Sequence, residues 1–320
     1  MAGVRRSDFT EAMKKEMYPW YFESYDEAPT VYESLFDIQQ SSAAYEKFTS
    51  AIGLGDLLEK PEGEDLIADS PMESYTIVCK NRTFGRQVRF SYESVKDTQK
   101  VADLLKATVG TWGQSTARTK DKWYVQLFNY GAYTAGHSVF NNTISGVIDD
   151  SSGNFIYDGK PFFASAHPDK VGNTYANATA SGSLTHTNLK TIYTTYTSTN
   201  NRDERGQIVT ITPDTLLIQP ALLFTAKVIL ANTAIPGSVD NDINVLANIV
   251  NPIVWPRLTD TDAWYLGKAK MGLMGTNRQE AVMDMYQDET NKDYYATIFL
   301  RWGGCVTNWR YWYSSNLATS

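Results

Sequence analysis

A chain of 320 residues that is 42% hydrophobic and 20% charged has apolar material for one large core or two ordinary ones, which excludes disorder as its main state. Its net charge of −7 excludes a protein whose main task is gripping nucleic acid, because neutralising phosphates needs a basic excess. Cys79 and Cys305, the only cysteines, are far apart and exclude a disulfide framework or a Cys-rich zinc site, so a reducing cytoplasmic origin is expected.

Met1 to Ser50 mixes charge with aromatics: Arg5, Arg6, Lys14 and Lys15, then Trp20, Tyr21, Phe22 and Tyr25. Its helical periodicity carries no strong apolar stripe, so it reads as an arm that packs on something else. The start, MAGVRRSDFTEAMKKEM, lacks the apolar core of a signal peptide. Gly53 to Pro71 (GLGDLLEKPEGEDLIADSP) is rich in Gly, Pro and acid, the signature of an exposed loop. Two alternating runs follow, Tyr75 to Cys79 and Val88 to Tyr92, joined by KNRTFGRQ with its turn formers Asn81 and Gly85. They predict an antiparallel hairpin turning between Lys80 and Gln87.

Val101, Leu104, Leu105, Val109 and Trp112 form one apolar helical stripe, which can run on to about Tyr130. Gly110 and Gly113 inside it predict a bend or break. Ser138 to Ser198 is polar and turn-rich, with Phe155 to Tyr157 as a short strand between tight turns. Leu216 to Ile218 reads as a buried strand, and Pro220 opens a helix with the stripe Leu222, Leu223, Ala226, Ile229 and Leu230. Strand-like runs return at Ile243 to Val254, Ala281 to Tyr286 and Tyr294 to Trp302. The longest apolar stretch, Leu216 to Leu230, is interrupted by Gln219, Pro220 and Lys227 and falls short of the ~20 residues a membrane span needs.

Groups that might carry chemistry have bland explanations. Ser165, His167 and Asp169 alternate, but Pro168 opposes a regular strand and no nucleophile-elbow motif exists. Asp149, Asp150, Asn154 and Asp158 lack the calcium-loop spacing, and His137, His167 and His186 lack zinc spacing. No catalytic residue, cofactor or metal is expected. Lys80, Arg82, Arg86 and Arg89 cluster near the expected hairpin turn, after the acids Glu62, Glu64, Asp65 and Asp69. Such a ribbon suits docking on a neighbouring copy, and equally suits ordinary solvated charge.

YDGKPFFASAHP (Tyr157 to Pro168) resembles the Tyr-Asp-Gly-x-x-Phe-Phe…His-Pro signature of the Mu-like major head subunit family of tailed bacteriophages. YTIVCKNRTFGRQVRFSYESVKD, LTHTNLKT, PDTLLIQPALLFTAKVIL, WPRLTDTDAWYL and RWGGCVTNWRYW follow in that family's order, over roughly residues 70–315. The resemblance implies an α+β fold of the Hong Kong 97 capsid type. Residues 1–50 would be the N-terminal arm, 51–93 the extended loop, 94–150 a peripheral domain with a spine helix, 151–290 mainly an axial domain, and 291–320 the return strand of the peripheral domain.

It implies a non-enzymatic major capsid protein whose copies form pentamers and hexamers of an icosahedral shell around double-stranded DNA, held without sequence-specific binding. The implied partners are a separate scaffolding protein, a portal and a possible decoration protein, with no membrane. The shell would be assembled in the host bacterial cytoplasm and found in the virion. The assembly interface is expected at Arg5, Arg6, Trp20, Tyr21, Phe22, Lys80, Arg82, Arg86 and Arg89. The alternatives are an encapsulin-like nanocompartment shell, a tail or neck protein, and a hydrolase built on Ser165 and His167.

Overall fold

The computed structural model describes residues 6–52, 56–66, 68–70, 72–93, 101–147, 152–232, 234 and 243–317. Two five-stranded sheets organise the chain. The first has the order β1-β10-β11-β3-β2, from β1 (Asp37–Gln40), β2 (Tyr45–Ile52), β3 (Met72–Phe90), β10 (Leu273–Gln287) and β11 (Tyr294–Val306). The second has the order β6-β12-β9-β7-β8, from β6 (Ala178–Thr179), β7 (Thr215–Ile218), β8 (Asn251–Val254), β9 (Trp264–Gly267) and β12 (Trp312–Ser315). β4 (His167–Pro168) and β5 (Thr174–Tyr175) form a small antiparallel pair. β10, from within residues 151–290, thus joins the first sheet, and β12 joins the second.

Helix α3 (Val101–Asn129) runs for 29 residues and packs its Leu105, Val109, Trp112, Tyr124, Leu127 and Phe128 into the main core. Of the stripe read in the sequence, Leu105, Val109 and Trp112 are buried, and the helix continues without the expected break through Gly110 and Gly113. Gly113 instead makes room for helix α1 (Arg6–Asp26): a Cβ there would lie 2.5 Å from the Tyr21 carbonyl oxygen. Two helices cross closely because one has no side chain at the contact, and α1 buries Met17 and Tyr21 in return.

The short helix α2 (Tyr32–Leu35) has no side-chain cap of its own. The buried Asp121 of α3 supplies it, accepting from the backbone N–H of Val31 at 3.0 Å and of Tyr32 at 3.3 Å. The same carboxylate accepts from Trp255 Nε1 at 3.0 Å and Arg257 Nε at 2.7 Å. A buried charge with four donors is satisfied, and it ties helix to loop.

The hairpin expected to turn between Lys80 and Gln87 does not form. β3 is one strand of 19 residues, paired with β2 through Lys80 and with β11 from Asn81 to Phe90. Asn81 is not a turn residue because its amide is used inside the fold. It donates to Ser41 Oγ at 2.8 Å and to the Ala43 carbonyl at 2.9 Å, and it accepts from Thr276 Oγ1 at 2.6 Å. Gly85 simply sits in the ladder opposite Phe299. The true hairpin is β2–β3, and residues 53–71 are its connection.

Cys79 and Cys305, far apart in sequence and not expected to build a disulfide framework, are paired as a buried disulfide between β3 and β11. The register explains why: Asn81 faces Gly303, so two residues further on Cys79 faces Cys305. Separation in sequence says nothing about strands that become neighbours.

The second core gathers β7, β9, helix α4 (His186–Ser198) and helix α5 (Leu223–Ala231). The strand β7 and helix α5 match the sequence reading. α4 was hidden in a Thr-rich stretch, although Thr185 caps it by accepting from Asn188 N and Leu189, Ile192 and Tyr196 make its buried stripe. Phe155 to Tyr157 is a turn and not a strand, and of Ile243 to Val254 only Asn251–Val254 is a strand. Among the described residues no helix is long and apolar enough to cross a membrane.

Candidate assembly surface

β2 and β3 leave the first sheet as a two-stranded ribbon, because β11 accompanies β3 only as far as Asn81. At its end Leu57, Leu58 and Leu66 are strongly exposed, among the exposed acids Asp56, Glu59, Glu62, Glu64 and Asp65. Large apolar side chains held in water on a projecting loop are the mark of a surface completed by a partner.

The root of the ribbon is fastened to its own chain. Arg205 donates to Asp69 Oδ1 at 3.1 Å and to the Ser70 carbonyl at 2.7 Å. Lys170 lies over the Tyr75 ring at 3.7 Å, and Tyr75 meets Tyr157 at 5.7 Å between centroids. No sequence motif announced the Asp69–Arg205 pair, since its partners are 136 residues apart.

The four cations expected at a hairpin tip are instead strung along β3. Arg82 is spent within the subunit: its guanidinium donates to the carbonyls of Asn141 at 2.7 Å and Val139 at 3.1 Å and lies 5.6 Å from the Trp123 ring. Burial pulls its pKa down. Lys80 donates to the Thr143 carbonyl at 2.8 Å. Arg89 is exposed and donates to the buried Asp293 at 2.6 Å, a hydrogen bond that raises its pKa. Arg86 is exposed. The reading of a basic tip is therefore corrected: strand pairing distributes these residues and employs three of them, Lys80, Arg82 and Arg89, as internal ties.

In the arm, Arg5 lies outside the described residues, and Arg6 is the first residue of α1. Tyr21 is buried against α3, and burial pushes its phenol up to about 12. Tyr21 is therefore not available to a partner as the subunit stands. Trp20 is half-buried and Phe22 exposed.

The hydrolase candidate dissolves in the structure. His167 is fully buried, with Nδ1 2.6 Å from Asp158 Oδ2 and Nε2 3.0 Å from Asn177 Oδ1, and its ring is stacked on Trp309 at 4.2 Å. Neither ring nitrogen is left for the exposed Ser165. Asp169 serves its own loop, accepting from Asn173 N at 2.7 Å and Val171 N at 3.0 Å. Asn177 completes the knot by donating to the Phe162 carbonyl at 2.8 Å and the Trp312 carbonyl at 3.2 Å. The Tyr-Asp-Gly…His-Pro segment is thus a buried polar clasp that fastens the closing aromatic segment of the chain.

Of the calcium candidates, Asp149 and Asp150 lie outside the described residues, and Asp158 belongs to the clasp. His137 stacks on Tyr130 and His186 bonds Asn244. Among the described residues no group of three or more His, Cys, Asp or Glu gathers as a metal site.

No curated protein matches the chain by sequence. The capsid of the cyanophage P-SCSP1u is similar in structure, with a TM-score of 0.55 at 12% identity, covering 92% of this chain and 89% of that one. The capsid of bacteriophage JBD30 gives 0.54 at 13% identity over 81% of this chain and 97% of that one. A structure from Mycobacterium phage Che8 gives 0.53 at 11% identity over 92% and 93%. At such identities the likeness is one of fold, an α+β capsid fold of the Hong Kong 97 type. The family model for phage capsid proteins matches residues 75–315, and the chain belongs to the phage capsid protein family.

Proposed function

We propose that the chain, as a major capsid protein of the Mu-like kind, tiles an icosahedral shell as pentamers and hexamers around double-stranded DNA. The observation that carries this reading within the family is the ribbon end, where Leu57, Leu58 and Leu66 are set in water among acids. Burying each on a neighbouring copy gains roughly 1.5–3 kcal/mol, repeated at every subunit. In this reading the first sheet with α3 is the peripheral domain, the second sheet with α4 and α5 is the axial domain, and β2–β3 is the extended loop. Among the expected interface residues whose side chains are described, Trp20, Phe22, Arg86 and Arg89 contribute surface in this reading.

The chain performs no catalysis, and the virion is its location after assembly in the bacterial cytoplasm. A separate scaffold and a portal guide closure, and a decoration protein has the outer face open to it. The net charge of −7 suits a wall against which DNA must slide without sticking. Sedimentation velocity of the expressed chain, with and without a candidate scaffold, tests the proposal. Closed particles holding very many copies are expected. A chain that remains monomeric under both conditions, or that forms open tubes, contradicts it.

A further inference from the structure

We propose that Cys79 and Cys305 form a redox-gated lock at the root of the projecting ribbon, open while the subunit is made and assembled and closed afterwards by a small-molecule disulfide. The timing rests on the proposed assembly in a reducing cytoplasm; the bond itself does not. The two residues face each other across β3 and β11 with their Cα atoms 5.3 Å apart, inside the roughly 4.4–6.8 Å that a disulfide spans.

Their position is what gives the bond an effect. Up to Lys80, β3 belongs to the ribbon with β2; from Asn81 onward it belongs to the ladder with β11. The cysteines therefore stand at the fork, where a load on the ribbon would peel β3 from β11. Gly303 marks the same point, since a Cβ on it would lie 2.1 Å from the Lys80 carbonyl oxygen. Backbones held that closely keep the two sulfurs within reach of each other whether or not they are bonded. Closure also joins segments 226 residues apart, which removes much of the freedom of the unfolded chain.

Access sets the gate. Both cysteines are buried, and the cavity beside Cys305 has about 20 Å³, room for roughly one water molecule. A small disulfide reaches them only when the fork opens. One protein thiolate then attacks a sulfur of the reagent, forms a mixed disulfide and releases one small thiolate. The second protein thiolate displaces the other half, which leaves as a second small thiolate. Two protein thiols have lost two protons and two electrons, and one small disulfide has become two thiols. Once the fork recloses, the bond is shielded from reductants by the same burial.

The test counts thiols. Chain quenched directly in denaturant with N-ethylmaleimide from a reducing lysate should carry two adducts. After incubation with oxidised glutathione it should carry none and yield a Cys79–Cys305 peptide within one chain. Oxidation should also raise the melting temperature of the wild type and leave that of the Cys79→Ser, Cys305→Ser double variant unchanged. Two adducts persisting after oxidation, bonds between chains, or a bond already present in the quenched lysate would each overturn the lock. The adduct count needs no variant to fold. If the free subunit oxidises as described but forms no particle, the shell proposal fails and the bond stands.

Discussion

At Gly113, space for a neighbour outweighs helix propensity. Alanine there would favour the helix by about 1 kcal/mol, but its Cβ would meet the Tyr21 carbonyl at 2.5 Å, and relieving such overpacking costs about 1–3 kcal/mol. Gly113→Ala is expected to destabilise the subunit in chemical denaturation. Gly110→Ala is expected to be neutral or stabilising, because its Cβ meets only the movable Ser24 hydroxyl at 3.0 Å. In the clasp, His167→Ala leaves the buried Asp158 Oδ2 without its partner while Oδ1 keeps the Lys160 N–H, and the expected loss is about 1–3 kcal/mol. The sequence already displayed the clasp as a recognisable signature. Its role was not legible, because Asn177 and Trp309 reach His167 only after the chain has folded back on itself.

The arm and the ribbon behave oppositely as elements. α1 lends Met17 and Tyr21 to the main core, so removing residues 1–26 is expected to unfold or strongly destabilise the subunit, as circular dichroism would register. Replacing Leu57, Leu58 and Leu66 with Ser should leave subunit stability within about 0.5 kcal/mol per site while abolishing particles in sedimentation, since these side chains are strongly exposed in the subunit.

Tyr21 also gives α1 an alkaline weakness. Its folded pKa is about 12 against 10.0 unfolded, so its stabilising contribution is intact below pH 10.0 and is lost as pH rises from 10.0 toward 12. Burial likewise pushes up Tyr32, Tyr124, Tyr157 and Tyr265. The share of the tyrosinate absorbance that belongs to these buried phenols is expected to appear together with loss of helix, and complete ionisation of the tyrosines with the helices intact would contradict it. Elements with their own periodicity, such as α3 and the β7–α5 unit, could be read before folding. The course of β3 could not. Its Asn and Gly look like a turn until β11 and Ser41 are present to use them.

For the whole molecule, two sheets share one tightly woven chain, and the aromatic richness of the sequence has an explanation. Trp255, Trp264, Trp302, Trp309 and Trp312 are all buried, so the excess serves the core at least as much as any interface. Membership of the capsid family was legible from ordered motifs over roughly residues 70–315, and the family model matches 75–315, whereas which of the expected interface residues stay exposed was not, because exposure depends on which neighbours the fold supplies. Electron cryomicroscopy of particles formed by the expressed chain, with scaffold where needed, tests the central claim most directly. The expected result is a closed icosahedral shell whose five-fold and six-fold capsomers place Leu57, Leu58 and Leu66 against an adjacent copy. A shell in which these leucines remain in solvent, or helical tubes in place of shells, would contradict it.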